Sequence, residues 1–219
     1  MMKNKFVLTL GLLSVSAAAI AAPNAALLEL QETVKTPAQD PVPTPPAQPA
    51  PGQVEAKPAP LNAAQKLLVK TAQDLQDLYR RSEPGPLPEG SSQGAGTVSP
   101  GTEDGEASRE IIALIWQGKI FTRIDDRTGT LVNKTVVGET FDAKVYFGES
   151  LLDGKESIII DYSETPFKPF RIIRDEIRRV GPGVYLGYAY LRGLDVAPVI
   201  FALDFNAPAA AVPAPSQSK

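Results

Sequence analysis

Between Trp116 and Phe205, apolar side chains alternate with polar ones at the two-residue period of a half-buried strand. The last segment is clearest: Val199, Phe201, Leu203 and Phe205 share one face, and Ile200, Ala202 and Asp204 the other. Ala143, Val145 and Phe147 form a second apolar face opposed by Lys144 and Tyr146, and Ile158, Ile160 and Tyr162 form a third, with Ile159 and Asp161 opposite. The pattern predicts strands near 116–124, 130–137, 140–148, 156–162, 170–180, 184–192 and 197–205. Turn chemistry separates them, at Asp125-Asp126-Arg127-Thr128-Gly129, Asp153-Gly154, Gly181-Pro182-Gly183 and Gly193-Leu194-Asp195. Every connection except Ser163–Pro169 is too short for a crossover helix, so neighbours run antiparallel. The expected fold class is all-β, an antiparallel up-and-down meander closing into a barrel of seven or eight strands. A two-sheet sandwich, the alternative, usually needs Greek-key crossings. Arg109–Ile115 reads as helix, and an eighth strand, if the barrel needs one, could come from it. Ile173, Ile177 and Val180 also fit helical spacing, and only the flanking turns favour strand for 170–180.

Upstream the pattern changes. Leu68, Ala72, Leu75, Leu78 and Tyr79 recur at helical spacing, with Asn62 and Gln65 placed as a capping box and Pro84-Gly85 as the stop. This predicts one amphipathic helix over 61–81, whose seam (Leu61, Ala64, Leu68, Thr71, Leu75, Leu78) either packs on its own domain or recruits a partner helix. Residues 82–107 are rich in Gly, Pro, Ser and Glu and read as a flexible linker, and 207–219 as a disordered tail. Nine prolines fall among the 24 residues from Pro37 to Pro60, so 22–60 reads as an extended polyproline spacer. At the start, Lys3 and Lys5 precede an uncharged apolar run to Ala22, with the small-x-small triplet Ala19-Ile20-Ala21. Residues 1–21 are therefore expected to be a cleaved secretory signal, leaving a protein of the periplasm, cell envelope or exterior that is peripheral to a membrane at most. The barrel domain is expected over 108–206.

Composition narrows the chemistry. The 219 residues include no Cys and no His, which excludes disulfides, thiolate or imidazole catalysis, and Cys- or His-ligated metals. A net charge of −3 argues against nucleic acid as a partner. There is no Gly-rich phosphate loop, and Asp153-Gly154-Lys155-Glu156 lacks the alternating oxygens of a calcium loop, so no cofactor and no metal are expected. Of the 15 aromatics, 13 lie between Trp116 and Phe205, which fixes where the core must be.

The phrases Trp116-Gln-Gly-Lys-Ile-Phe121, Ala143-Lys-Val-Tyr-Phe-Gly148, Asp153-Gly-Lys-Glu-Ser-Ile-Ile-Ile-Asp-Tyr162 and Ile173-Arg-Asp-Glu-Ile-Arg178 with Pro182-Gly-Val-Tyr-Leu-Gly187 resemble small lipocalin-like (calycin-type) barrel domains. The match covers roughly 110–206. It departs from the best-known lipocalins in lacking the Gly of a Gly-x-Trp opening, since residue 114 is Leu, and in lacking paired cysteines. The resemblance implies a barrel and a cavity for an apolar ligand; it implies no named activity.

In the strand 170–180, Ile173, Asp175, Ile177 and Arg179 share a face, so the two isoleucines point Asp175 inward. A lone buried carboxylate is costly and must find a partner. Asp175 is therefore the candidate anchor for a ligand headgroup, with Arg179 and Tyr188, while Trp116, Phe201 and Leu203 would line the apolar wall. The alternative is that these groups only pack. Three functions follow: an exported binding module for a small lipophile, a solid scaffolding barrel whose helix and Pro-rich tether bind an envelope protein, or an enzyme using Asp161, Asp175 or Glu176. The last would need two carboxyls converging on one cavity; nothing in the spacing calls for it, and a non-catalytic protein is expected.

Overall fold

The computed structural model describes residues 61–207; the expected signal segment, the Pro-rich spacer 22–60 and nearly all of the tail lie outside them. One sheet of nine strands runs through the molecule. Its members are β1 (Gly90–Ser91), β2 (Gln93–Thr97), β3 (Trp116–Arg123), β4 (Thr128–Thr135), β5 (Gly138–Glu149), β6 (Glu156–Asp161), β7 (Ile173–Gly181), β8 (Val184–Leu191) and β9 (Val199–Asp204). Among the described residues three helices accompany it, α1 (Ala63–Leu67), α2 (Ala72–Arg81) and α3 (Glu103–Ala113), with a 3-10 turn at Lys168–Ile172 leading into β7. Strands β3 to β9 pair in chain order, each antiparallel to the next, as alternation and short turns require. The segment 170–180 is thus strand from Ile173 onward.

Closure comes from a stretch that the sequence reading takes as linker. β1 pairs with β3 and β2 with β9, so residues 90–97 join the first and last strands of the meander and nearly close the sheet into a barrel. At the switch, the Ser92 N–H and Oγ both donate to the Lys119 carbonyl at 2.9 Å. The 82–107 assignment is therefore corrected: it holds β1, β2 and part of α3, and Leu87 within it is buried in the core. The reason is steric. A Cβ on Gly94 would lie 2.5 Å from the Trp116 ring, and one on Gly96 would lie 3.2 Å from Ile112. Small residues here allow close approach rather than flexibility. The Arg109–Ile115 stretch supplies no strand; most of it continues α3, whose N-terminus is capped by Thr102 accepting the Gly105 N–H.

The single helix expected over 61–81 is two. Asn62 and Gln65 do form the capping box, but α1 stops at Leu67, and Thr71 is the cap of α2, accepting the Asp74 N–H. Leu68, Leu75 and Tyr79 are buried against the outside of the barrel with Leu186, Tyr188, Ile200 and Ala202. The apolar stripe is therefore covered by its own domain. Asp204 Oδ2 accepts the Ala63 N–H at 3.0 Å and ties α1 to β9.

Strands β8 and β9 are consequently buried on both faces. Inside, Tyr185, Phe201 and Leu203 join Phe121, Leu131, Val145, Ile158, Ile160 and Ile177 in the main core. That interior is tightly filled beside Gly187, where an added Cβ would stand 2.4 Å from the Phe201 ring. Gly187→Ala should therefore cost about 1–3 kcal/mol through overpacking, read as a lower urea midpoint at unchanged slope.

Candidate binding site at the aromatic end of the barrel

Two irregularities set the polar side chains of the interior. In β3 the pairing with β4 shifts between Trp116 and Gly118, where Gly118 takes a φ of +136°. The extra residue puts Trp116 and Lys119 on the same inward side, which strict alternation would forbid. In β5 the register shifts again opposite Leu131 and Asn133, and Phe141 takes a φ of +52°, a left-handed conformation uncommon for a bulky residue. Phe141 then stacks on Phe170 with ring centres 3.9 Å apart and meets Phe167 at 5.4 Å. These three half-buried rings roof the end of the barrel at which β6 gives way to β7.

Beneath the roof is a polar cluster. Lys119 is paired in register with Asn133, and its Nζ donates to Asn133 Oδ1 at 2.9 Å, to Tyr162 OH at 2.6 Å and to Asp175 Oδ2 at 3.0 Å. Asn133 Nδ2 donates to the Phe141 carbonyl and to Tyr162 OH, both at 3.0 Å, and Asn133 Oδ1 also accepts Trp116 Nε1–H at 3.0 Å. The ammonium lies 5.2–5.5 Å from the ring centres of Tyr162, Phe201 and Trp116, within cation–π range. Lys119 and Asp175 side chains are each 4% exposed.

Burial works against the Lys119 charge, yet Asp175 and Tyr162 beside it hold the ammonium above its ordinary value. Burial pushes the Asp175 carboxyl up, against the pull of Lys119. Burial also pushes the Tyr162 hydroxyl up to about 12, so it stays a neutral hydrogen-bonding group at physiological pH. Asp175 Oδ1 is buried and has no hydrogen-bond partner.

Asp175, Phe201 and Leu203 thus lie inside, as alternation predicts, and Trp116 packs partly buried against the same core. Arg179 and Tyr188 do not join them. Arg179 pairs with Tyr185 near the β7–β8 turn, four residues from Asp175 and so roughly 13 Å along the strand. It is exposed there, with its Nε donating to the Gly181 carbonyl. Tyr188 faces outward and packs edge-on against Tyr79 of α2 with ring centres 5.0 Å apart. A wall buried on both faces has no polar side to mark which way a tyrosine points. Lys119 and Asn133, the partners that matter most, are absent from the expected set; the Gln117–Gly118 bulge hides the phase of Lys119, whereas Asn133 alternates in phase with buried Leu131 and could have been found from it.

The three carboxylates weighed for catalysis sit in separate networks. Glu176 faces away from the interior and accepts from Ser150 Oγ at 2.6 Å, the Leu151 N–H at 2.8 Å and Arg174 at 2.9 Å. Asp161 accepts from Arg192 at 2.8 Å and from the Ser163 N–H at 2.9 Å. Partial burial opposes its charge, but Arg192 and the Ser163 N–H prevail and bring the carboxyl down to about 2. A depressed pKa gives stability that is present above the unfolded value of 3.8 and lost as pH falls through about 2. Since Arg192 is 35% exposed, Asp161→Asn should cost only about 1 kcal/mol at pH 7. The difference from the parent chain should close in urea melts taken toward pH 2.

No family model and no curated protein matches the chain. Among solved structures it is similar to a crystal structure of a protein from Thermomonospora curvata, at 19% identity and a TM-score of 0.41, covering 62% of this chain and 87% of that one.

Proposed function

We propose that this chain is an exported, non-catalytic binding module of the cell envelope, taking a small apolar molecule at the Phe141/Phe167/Phe170 end of its barrel. The observation that carries the reading is the unsatisfied Asp175 Oδ1, a buried acceptor beneath a roof of half-exposed rings. Buried polar atoms in folded proteins are nearly always partnered, so an orphan is a natural ligand contact. The lipocalin-like phrases of the sequence and the basic-then-apolar first residues support the barrel-binding and export parts of the proposal. A long lipid threaded down the axis does not fit it, because Lys119 crosses the interior among the rings of Trp116, Tyr162 and Phe201. Native mass spectrometry of detergent-free protein, with Trp116 fluorescence titrated by a panel of lipophiles, tests it. A saturable 1:1 response is expected, and a flat response to all of them would overturn it.

The crowding around Phe201 and Trp116 favours a second reading, a solid barrel that serves as a scaffold on its tether. The apolar stripe of α1 and α2 is covered, which leaves the Pro-rich spacer as the partner contact in this reading. Deleting 37–60 should then release the protein from the envelope while leaving the barrel folded. A deletion reaching 107 would remove β1 and β2 and could not discriminate.

A further inference from the structure

The hydrogen bonds of the buried cluster can be counted to completion. An ammonium has three donors, and those of Lys119 go to Asn133, Tyr162 and Asp175. Both amide hydrogens of Asn133 are placed, and its oxygen already accepts from Trp116 and Lys119. Tyr162 OH accepts from Lys119 and Asn133, and its own hydrogen points to Asp175 Oδ2 or Asn133 Oδ1, each 3.4 Å away. One position is unused, and it is an acceptor, Asp175 Oδ1.

That count selects the chemistry of a headgroup. An anion would find no donor left on Lys119 and would be buried beside the Asp175 carboxylate. A cation would be buried near an ammonium 3.0 Å from the other oxygen of the same carboxylate. An uncharged hydroxyl meets neither penalty and donates the one hydrogen bond the cluster lacks. The surroundings select the body. Phe170 stacks on Phe141 and lies edge-on to Tyr162 at 6.1 Å, and the Tyr162 OH is 3.4 Å from Asp175 Oδ2, so aromatic rings stand next to the carboxylate. Phe167 and Phe170 ride on the β6–β7 connection, whose hydrogen bonds include three of its own, Phe170 N–H to Phe167 O, Thr165 N–H to Tyr162 O and Arg171 Nε–H to Thr165 O. Phe167 and Phe170 thus sit outside the strand pairing, on a connection tied to β8 at its end by the Arg192 N–H to the Ile172 carbonyl at 2.7 Å, while Phe141 belongs to β5.

Resting on the reading of this end as a binding site, we propose that its ligand class is the phenols, with an uncharged aromatic hydroxyl donating to Asp175 Oδ1 and the ring lying among Phe141, Phe167 and Phe170.

The test uses the full chain and three probes that share one ring system: 2-naphthol, 2-methoxynaphthalene and 2-naphthoate. The chain has one Trp, so its indole N–H, bonded to Asn133, is a single resolved NMR signal inside the cluster. A saturable shift with 2-naphthol is expected, at an affinity at least tenfold above the methyl ether, which keeps the ring and loses the donor, and tenfold above the carboxylate. Equal affinity for the naphthol and its ether, or preference for the naphthoate, overturns the phenol assignment and leaves the binding reading standing. No saturable shift with any of the three overturns the phenol assignment, and the binding reading falls with it where the wider lipophile panel is flat as well.

Discussion

Lys119→Met should destabilise the protein by about 3–5 kcal/mol, because it strips the paired ammonium from a carboxylate buried beneath the aromatic end of the barrel. The methionine fills the space of the lysine stem, so little of the loss is cavity. What remains is Asp175, 4% exposed, with neither oxygen served by a charge and with Tyr162 and Asn133 robbed of a shared donor. The double replacement Lys119→Met with Asp175→Leu removes both charges and should recover most of the loss. Urea unfolding of the two single variants and the double gives the coupling directly, and a coupling under about 1 kcal/mol would show that the pair is not a unit. The alkaline limb has a defined sign as well. A lysine held above its ordinary value contributes stability that is present below the unfolded value of 10.5 and lost as pH rises through the folded one. The methionine variant should lack that dependence.

The second large effect is expected on the outer face. Arg178 is wholly buried, and its guanidinium makes two 2.7 Å bonds to Asp153, one of 2.8 Å to Ser157 Oγ, and longer ones to the carbonyls of Glu156 and Tyr79. It also lies 4.6 Å from the centre of the Tyr79 ring. One side chain thus fastens α2, the β5–β6 loop and β7 together. Arg178→Met should cost about 3 kcal/mol, at the lower end for a broken buried pair because Asp153 is 11% exposed and can rehydrate. The loss should be local. Hydrogen exchange in α2 should accelerate far more than in β4 or β5, and equal acceleration throughout would refute the clamp. Arg178→Lys keeps the charge but not the planar fork, and should recover less than half.

The parts of this molecule legible from sequence are those where one physical rule acts alone. Strands β3 to β9 could be placed because a two-residue period and short turns leave few alternatives, and Asp175 could be turned inward because Ile173 and Ile177 flank it in phase. The rest failed where two rules compete. Gly94 and Gly96 carry no strand preference, and the Trp116 ring and Ile112, farther along the chain, explain them; Gly90 instead takes a φ of +81° with open space around it. Thr71 fits a helical seam and an N-cap equally well until the chain is seen to break at Leu68. Tyr188 belongs to a strand apolar on both sides, one against the core and one against α2. Lys119 was hidden by a single inserted residue that reverses which face it shares with Trp116.

The pairing of β2 with β9 joins Gln93 to Asp204, a span of more than a hundred residues. Ring closure must therefore wait for the last strand to be synthesised, whatever the helices and hairpins have done by then. Until Val199–Asp204 emerges, the growing meander has a bare backbone edge on β8, and on β3 beyond its two-residue pairing with β1, open to any chaperone or neighbouring chain that binds by strand addition. The finished ring offers almost none.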